Sequence, residues 1–183
     1  LPQLADKKIA AGDRTMRIWS AGCSTGEEPY TIAMALMESI RFHSIWNFQI
    51  YATDISTAVL EKAMEGVYSK RAVERLPKEL LDKYFTFRDG KYIINNVVKK
   101  MVEFDYANLF DSYYMAGFDI IFCRNVLIYF RDEDKRSILE RFHASLVDDG
   151  WLFLGPTEMI RGLVDGFKLT PMKDCVIFQK QPG

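Results

Sequence analysis

Two adjacent glutamates, Glu27 and Glu28, follow a turn of small residues that runs from Gly22 to Gly26. The turn comes directly after a short apolar run, and a helical pattern begins at Pro29, so we expect a strand, a glycine-containing turn and a helix. Glycine in such a turn lets a ligand approach the backbone closely. Two carboxylates in the first helical turn would repel a pyrophosphate, which disfavours NAD and favours a ligand with positive charge.

S-adenosylmethionine carries such charge, as an ammonium and a sulfonium, and the turn is therefore a candidate site for that cofactor. A purely structural interpretation stays open, because Thr25-Gly26-Glu27-Glu28 matches a capping box in which Glu28 bonds back to the amide of Thr25. Acidic residues also favour a helix N-terminus because they complement the helix dipole.

A third carboxylate, Asp54, stands at the end of the next predicted strand, Phe48–Thr53. The carboxyl ends of parallel strands meet at one edge of an open α/β sheet, so Asp54 is expected at the same edge as the glycine turn. A carboxylate there can accept hydrogen bonds from two ribose hydroxyls. It could equally cap the helix predicted from Thr57 to Met64, for which Ser56 is the predicted N-cap.

Polar side chains also follow Phe118–Cys123, an apolar run typical of a strand buried on both faces of a parallel sheet. Arg124 could hold a carboxylate in a bidentate pair, and Asn125 could bond the amino-acid part of a ligand. Tyr129, a few residues on, could face the reacting centre. The alternative is that Arg124 pairs with Asp119 or another acid inside the protein while the Tyr129 ring packs.

One more segment, Asp105 to Leu109, precedes that strand. The amide of Asn108 and the apolar side chain of Leu109 would suit the edge of an adenine ring. On spacing alone, an ordinary turn explains the same residues.

Composition disfavours several other functions. Three cysteines without metal-type spacing and only two histidines predict neither a metal site nor a His-centred triad, and the odd cysteine count fits a reducing compartment, with the cytoplasm as the default. With 24 basic and 25 acidic side chains, the chain has no excess of positive charge for nucleic acid. No run approaches the ~20 apolar residues of a membrane span, so no direct membrane insertion is expected.

The elements that position these residues alternate between strands and helices, as expected for an α/β fold in one domain over residues 1–183. We expect a doubly wound, mostly parallel sheet. A helix from Asp132 to about Leu146 is predicted to end at Asp149-Gly150, before a strand at Trp151–Leu154. A C-terminal antiparallel hairpin is predicted from Phe167–Thr170 and Cys175–Gln179, with its turn near residues 171–174.

A small antiparallel β insertion is predicted at about residues 85–104. Two β-rich runs, Phe85–Arg88 and Lys91–Ile94, flank Asp89-Gly90, which is a strong hairpin signal. Val97–Phe104 is predicted to continue as a third antiparallel strand.

Five segments carry a resemblance to a known family: WSAGCSTGEEPYTIA (Trp19 to Ala33), ATDIS (Ala52 to Ser56), AVLEKAMEGVY (Ala58 to Tyr68), FDIIFCRNVLIYF (Phe118 to Phe130) and GWLFLGPTE (Gly150 to Glu158). They resemble the bacterial chemotaxis receptor methyltransferases, which transfer a methyl group from S-adenosylmethionine to glutamate side chains of chemoreceptors. The resemblance extends from about Arg14 to Gln179, and its motifs are far more specific than a glycine turn alone.

This resemblance implies a class I methyltransferase-like fold and a role for each carboxylate of the first two strand ends. Glu28 would contact the methionine portion of the cofactor, with Glu27 beside it. Asp54 would hold the ribose, and Gly22 would lie in the cofactor turn. The product would be S-adenosylhomocysteine, and no metal would take part.

For the later segments, the resemblance implies that Asn108 and Leu109 contact the adenine region. Arg124 and Asn125 would line the boundary between cofactor and substrate, and Tyr129 would sit near the transferable methyl. Arg124 and Tyr129 are the expected catalytic residues, because a carboxylate nucleophile is already ionised and needs orientation rather than a base.

The implied partner is the cytoplasmic region of methyl-accepting chemoreceptors. In some family members the small β subdomain binds a receptor C-terminal peptide by strand addition. Full-length members also carry an N-terminal helical domain that has no counterpart here, so we expect a catalytic-domain fragment. Two alternatives stay open: a methyltransferase with another acceptor, and a non-catalytic cofactor-binding module in signalling.

Overall fold

The computed structural model describes residues 2–111, 115–158, 160, 162–171 and 176–181. Two short 3₁₀ helices, His43–Ile45 and Leu127–Tyr129, accompany the longer elements. These are, in chain order, α1 (Pro2–Ala10), β1 (Thr15–Ala21), α2 (Glu27–Ser39), β2 (Asn47–Asp54), α3 (Thr57–Glu65), β3 (Val67–Tyr68), α4 (Lys70–Val73), α5 (Lys78–Tyr84), β4 (Phe85–Arg88), β5 (Lys91–Ile94), α6 (Asn96–Lys99), β6 (Val102–Tyr106), β7 (Phe118–Cys123), α7 (Asp132–Ser145), β8 (Leu146–Leu154), β9 (Phe167–Pro171) and β10 (Val176–Lys180).

Seven strands form the larger sheet in the order β6-β2-β1-β7-β8-β10-β9. The β2–β6, β1–β7 and β7–β8 pairs are parallel, whereas β10 pairs antiparallel with both β8 and β9. The predicted α/β class, with a mostly parallel sheet and antiparallel C-terminal strands, is confirmed. Residues 172–175 of the predicted C-terminal hairpin lie outside the described residues. No helix in the described segments is long and apolar enough to cross a membrane.

The chain divides into two compact units, of which the first consists of Leu1–Met16 and Cys23–Tyr106. In its core, Cys23, Ala52 and Leu60 are buried together, and Val102 and Phe104 pack against them. The apolar face of α2 is buried as its periodicity predicts.

The second unit consists of Arg17–Gly22 and Ala107–Gly183. Aromatic rings dominate its core: Trp19 stacks on Phe118 with ring centroids 5.5 Å apart and meets Phe142 edge-on at 5.3 Å. Ile138, Leu139 and Phe142 are the buried face of α7, as predicted. The strand β7 is almost wholly buried, which agrees with its continuous apolar sequence.

The prediction of a third antiparallel strand at Val97–Phe104 is wrong. The small sheet has the order β3-β5-β4, so its third strand is Val67–Tyr68. Residues 96–99 form α6, and β6 pairs in parallel with β2, from Ile50 opposite Val102 to Asp54 opposite Tyr106. The β-rich composition of this run indicated a strand correctly, but composition does not specify which strand it pairs with.

The predicted helix end at about Leu146 is confirmed within one residue, but the prediction that Asp149-Gly150 terminates the helix is wrong. The helix ends at Ser145, and β8 begins at once with Leu146. Asp149 adopts a left-handed backbone conformation with φ of 61° inside this strand. The pairing with β7 shifts register there, which is typical of a β-bulge.

Candidate functional site

The first candidate region, here called the carboxylate turn, consists of residues 23–28 and Asp54. The amide of Cys23 donates to the carbonyl of Thr53 at 2.9 Å, which ties the turn to the end of β2. The amide of Ser24 donates to Oδ2 of Asp54 at 2.9 Å, and the amide of Ser56 donates to Oδ1 at 3.0 Å. Asp54 therefore lies beside the glycine turn, as the strand-end argument predicted, and also bonds the start of α3.

One tyrosine hydroxyl bonds the carboxylate turn, and a second bonds the neighbouring helix α3. Tyr68 donates to the carbonyl of Thr25 at 2.9 Å, and Tyr30 donates to the carbonyl of Ala63 at 2.9 Å. Gly26 has φ of 89°, and a Cβ there would lie 2.9 Å from the Cβ of Ala63 and 3.1 Å from the Tyr68 hydroxyl. The turn thus requires glycine for both conformation and space. Sequence reasoning did not single out Tyr68, which lies 43 residues from the carbonyl that it bonds.

The predicted capping box with Thr25 as N-cap is wrong. The N-cap of α2 is Gly26, which has no side chain with which to bond the helix terminus. The Thr25 hydroxyl instead donates to Oε2 of Glu27 at 2.7 Å. Glu27 and Glu28 remain in the first helical turn, which leaves the ligand-binding interpretation in place.

The negative charge of the turn affects the pKa of the Cys23 thiol. Burial, which is the largest cause, and the negative charges of Asp54, Glu28 and Glu27 together raise the pKa of the Cys23 thiol to about 12. Burial likewise raises the pKa of Tyr68, as does the charge of Glu27. Three carboxylates therefore act on one small turn, which makes this turn suited to a cationic ligand.

The second candidate region, here called the Arg124 loop, consists of residues 124–130 after β7. Arg124 and Asn125 are exposed, and Tyr129 is 80% exposed within the 3₁₀ helix Leu127–Tyr129. The alternative pairing of Arg124 with Asp119 stays a prediction; Oδ2 of Asp119 accepts the backbone amide of Arg17 at 2.8 Å. The alternative also expected the Tyr129 ring to pack within the protein, and the exposure of that side chain excludes this.

A buried carboxylate that sequence reasoning missed organises this loop. Glu158 is 5% exposed, and its Oε2 accepts the amides of Asn125 at 2.8 Å and Gly155 at 2.6 Å. Its Oε1 accepts the amides of Val126 at 2.9 Å and Leu127 at 2.7 Å. The signal in the sequence is the segment GWLFLGPTE, which ends at Glu158 and carries part of the family resemblance.

Gly22 and the Asn108 segment lie in the same unit as the Arg124 loop. A Cβ on Gly22, which has φ of 80°, would lie 2.5 Å from a methyl group of Val126. Asn108 Oδ1 accepts the amide of Phe110 at 3.0 Å, which is a local turn of the kind that the alternative interpretation expected.

Two further contacts hold the Asn108 segment within the second unit. Arg141 donates to the carbonyl of Leu109 at 3.0 Å, and the ring of Phe110 meets that of Phe130 edge-on at 5.3 Å. The structure thus joins Asn108-Leu109 to the Arg124 loop within one unit, and it joins Glu27, Glu28 and Asp54 within the other.

The donor set fits S-adenosylmethionine. Carboxylates suit its ammonium, sulfonium and ribose hydroxyls, and the side-chain amides and backbone groups of the second unit suit an adenine edge. In the described part of the chain, no group of three or more His, Cys, Asp or Glu side chains could hold a metal ion.

Residues 2–176 match the family model described as CheR methyltransferase, SAM binding domain. The chain belongs to the CheR methyltransferase family. A chemotaxis protein methyltransferase of Borreliella burgdorferi is 44% identical over 167 residues, which are 88% of this chain and 59% of that protein. Chemotaxis protein methyltransferase 1 of Pseudomonas aeruginosa is 40% identical, with 98% of this chain and 66% of that protein covered. The chain spans less than two thirds of both CheR-family relatives.

Solved structures share the fold of this CheR-family chain at low sequence identity. A DszA carbon methyltransferase superposes with a TM-score of 0.61 at 15% identity, over 97% of this chain and 50% of that one. A TehB-like SAM-dependent methyltransferase from Corynebacterium glutamicum gives 0.56 at 14% identity, over 99% and 89%. Magnesium protoporphyrin IX methyltransferase from Synechocystis, solved with bound SAM, gives 0.53 at 18% identity, over 98% and 77%. The class I methyltransferase-like fold implied by the resemblance is therefore confirmed.

Proposed function

We propose that this chain transfers a methyl group from S-adenosylmethionine to glutamate side-chain carboxylates in the cytoplasmic region of bacterial chemoreceptors. The products are glutamate methyl esters and S-adenosylhomocysteine, and the reaction takes place in the cytoplasm. The observation that carries the proposal is the convergence of Glu27, Glu28 and Asp54 on one glycine turn in a CheR-family chain. That arrangement favours a cationic cofactor and disfavours a dinucleotide.

The carboxylates of the first unit are the first group of proposed cofactor contacts. Glu28 binds the methionine portion with Glu27 beside it, and Asp54 accepts the ribose hydroxyls through lone pairs that its two amide bonds leave available. Gly22 belongs to the strand-to-helix connection, where a Cβ would lie 2.5 Å from a methyl group of Val126.

The later segments supply the remaining proposed contacts. Asn108 and Leu109 bind the adenine region, and Asn125 and Arg124 line the boundary between cofactor and substrate. When bound, S-adenosylmethionine supplies a methyl group on a positively charged sulfur, which makes that methyl electrophilic.

The chemistry needs alignment rather than proton transfer. A substrate glutamate is ionised near neutral pH, so no side chain has to abstract a proton. Arg124 orients the incoming carboxylate by a bidentate pair, and Tyr129 orients it through its hydroxyl or lines the methyl. The exposure of both side chains suits contact with a large protein substrate. Catalysis then comes from holding the reacting groups in line.

The small sheet is the proposed docking place for a receptor C-terminal peptide. The strand β4 lies at one edge of the order β3-β5-β4, and an edge strand offers unpaired backbone groups to an added strand. Phe87 on β4 is 64% exposed and contacts Tyr92 with ring centroids 4.9 Å apart. This aromatic pair offers a flat apolar surface to a peptide side chain.

Transfer of tritiated methyl groups to chemoreceptor-containing membranes tests the proposal. We expect label that alkali releases as methanol, because carboxyl methyl esters hydrolyse in base. A receptor in which the acceptor glutamates are replaced by alanine is the control, and it should remain unlabelled.

The same assay separates the alternatives. Alkali-stable label would indicate a methyltransferase with another acceptor. Cofactor binding by calorimetry without any label would indicate a binding module. A receptor truncated at its C-terminal peptide, compared with the full receptor, tests docking at β4.

A further inference from the structure

We propose that Glu158 is a positioning residue for methyl transfer: its buried carboxylate holds the backbone that presents Arg124, Asn125 and Tyr129. This inference rests on the proposed function, which assigns substrate and cofactor contacts to those three residues. It adds a residue that acts through the Arg124 loop rather than on the reacting atoms.

Glu158 is fully engaged by the backbone. A carboxylate offers about four acceptor sites, and the four amide bonds of 2.6 to 2.9 Å occupy that capacity. With 5% of its surface exposed, the side chain is not available to a ligand as a base or a nucleophile. Bonds of this kind to a charged acceptor are short and strong, so the carboxylate is suited to fixing a backbone.

The backbone of the loop requires such an acceptor. Asn125 has φ of 61°, a left-handed conformation that a side chain disfavours, and it is retained only where surrounding contacts dictate it. Val126 is the N-cap of the 3₁₀ helix Leu127–Tyr129, and Leu127 is its first residue. The amides of these two residues therefore have no carbonyl of an earlier helical turn to bond. Glu158 accepts all three amides and so determines the direction in which Arg124 and Tyr129 leave the loop.

Two substitutions disturb this arrangement in different ways. Glu158→Gln preserves the size of the side chain but turns one oxygen into an NH₂ group, which then faces two backbone N–H donors. Gly155→Ala preserves the charge but adds a Cβ 2.7 Å from Oε2 of Glu158 and 3.1 Å from Oδ1 of Asn125. The matched control is Asp119→Asn, because Asp119 is also a buried acid of the second unit and its Oδ2 accepts the amide of Arg17 at 2.8 Å.

The experiment combines amide hydrogen exchange with steady-state kinetics. In Glu158→Gln we expect amides 125–127 to exchange at least about tenfold faster, since each lost bond exposes its donor. We expect kcat to fall by about tenfold or more while the KM for S-adenosylmethionine changes by less than about threefold, since Glu28 and Asp54 are held by other contacts. Asp119→Asn should lower the melting temperature and leave kcat, KM and the exchange of amides 125–127 unchanged.

Several results would overturn the inference. These are unchanged exchange at 125–127 in Glu158→Gln, an equal loss of kcat in Asp119→Asn, and a rise in KM with kcat unchanged. If Glu158→Gln does not fold, Gly155→Ala decides the question by the same two readouts. If the wild-type chain shows no methyl transfer, the proposed function fails, whereas the exchange measurement still decides whether Glu158 holds the loop.

Discussion

The carboxylate turn and the Arg124 loop both follow a parallel strand, but their carboxylates differ in how far the backbone engages them. In the turn, Asp54 accepts two backbone amides, and the carboxylates of Glu27 and Glu28 remain at the surface or partly exposed. In the loop, a buried charge on Glu158 holds the backbone, and the polar side chains around Arg124 are exposed. A carboxylate therefore indicates ligand binding only when its backbone bonds leave acceptor capacity.

The comparison also separates two kinds of catalytic contribution. The turn presents negative charge that suits a cationic cofactor, so its substitutions should weaken binding. The loop presents groups that suit an anionic carboxylate, so its substitutions should slow the reaction. Substitutions in the two regions test this division.

Replacing the exposed cation of the loop should have the largest effect. In Arg124→Ala we expect kcat to fall roughly 100-fold while cofactor affinity changes little, because misalignment of the nucleophile affects the rate and not cofactor binding. Tyr129→Phe should act in the same direction. Steady-state methylation kinetics and calorimetry with S-adenosylhomocysteine measure the two quantities.

The control for this prediction is Arg131→Ala, which removes another exposed arginine just beyond the loop. It should leave kcat unchanged. Equal losses of rate and affinity in Arg124→Ala would contradict the division between the two regions.

Adding a methyl group at Gly26 tests how tightly the turn is packed. Gly26→Ala should lower the free energy of unfolding by about 2 kcal/mol, from left-handed strain together with the contacts to Ala63 and Tyr68. Gly12→Ala shares the positive φ, at 76°, but meets no atom within 4 Å. It should therefore cost only about 1 kcal/mol, from strain alone. Urea unfolding measures both, and equal losses would show that crowding at Gly26 is unimportant.

Neutralising one carboxylate of the turn should weaken cofactor binding. In Glu28→Gln we expect the Kd for S-adenosylmethionine to rise roughly tenfold, with a smaller rise for S-adenosylhomocysteine, which lacks the sulfonium charge. Added salt should reduce the difference between variant and wild type. Glu61→Gln, on the exposed side of α3, makes the same change in net charge and should leave both Kd values unchanged.

Alkaline pH should have the smallest effect. The pKa of Cys23 is raised from 9.0 to about 12, so the folded chain retains a proton that the unfolded chain loses. Its contribution to stability is therefore complete below pH 9 and is lost as the pH rises from 9 towards 12. Urea unfolding at pH 8 to 10 should show a steeper loss for the wild type than for Cys23→Ala. Parallel pH profiles would contradict the electrostatic description of the turn.

Much of this molecule follows from local sequence. Short stretches of sequence suffice to predict several features, because backbone propensity and apolar periodicity act over a few residues. These features are the turn after β1, the start of α2, the place of Asp54 at the end of its strand and the Asp89-Gly90 hairpin. The motifs STGEEPY and CRNVLIYF identify the CheR family. The two adjacent glutamates of the first motif also favour a positively charged ligand over an anionic one.

Strand pairing and the role of a buried carboxylate depend on residues distant in the chain, so only the tertiary structure determines them. An apolar run shows that a strand will be buried, but β6 pairs with β2, rather than extending the small sheet, because of where the whole chain packs. Likewise, the sequence shows an acidic residue at Glu158, whereas its burial and its bonds to residues 31 to 33 positions away exist only in the folded chain. A carboxylate is a ligand-binding group or a structural acceptor according to its surroundings, and folding creates those surroundings.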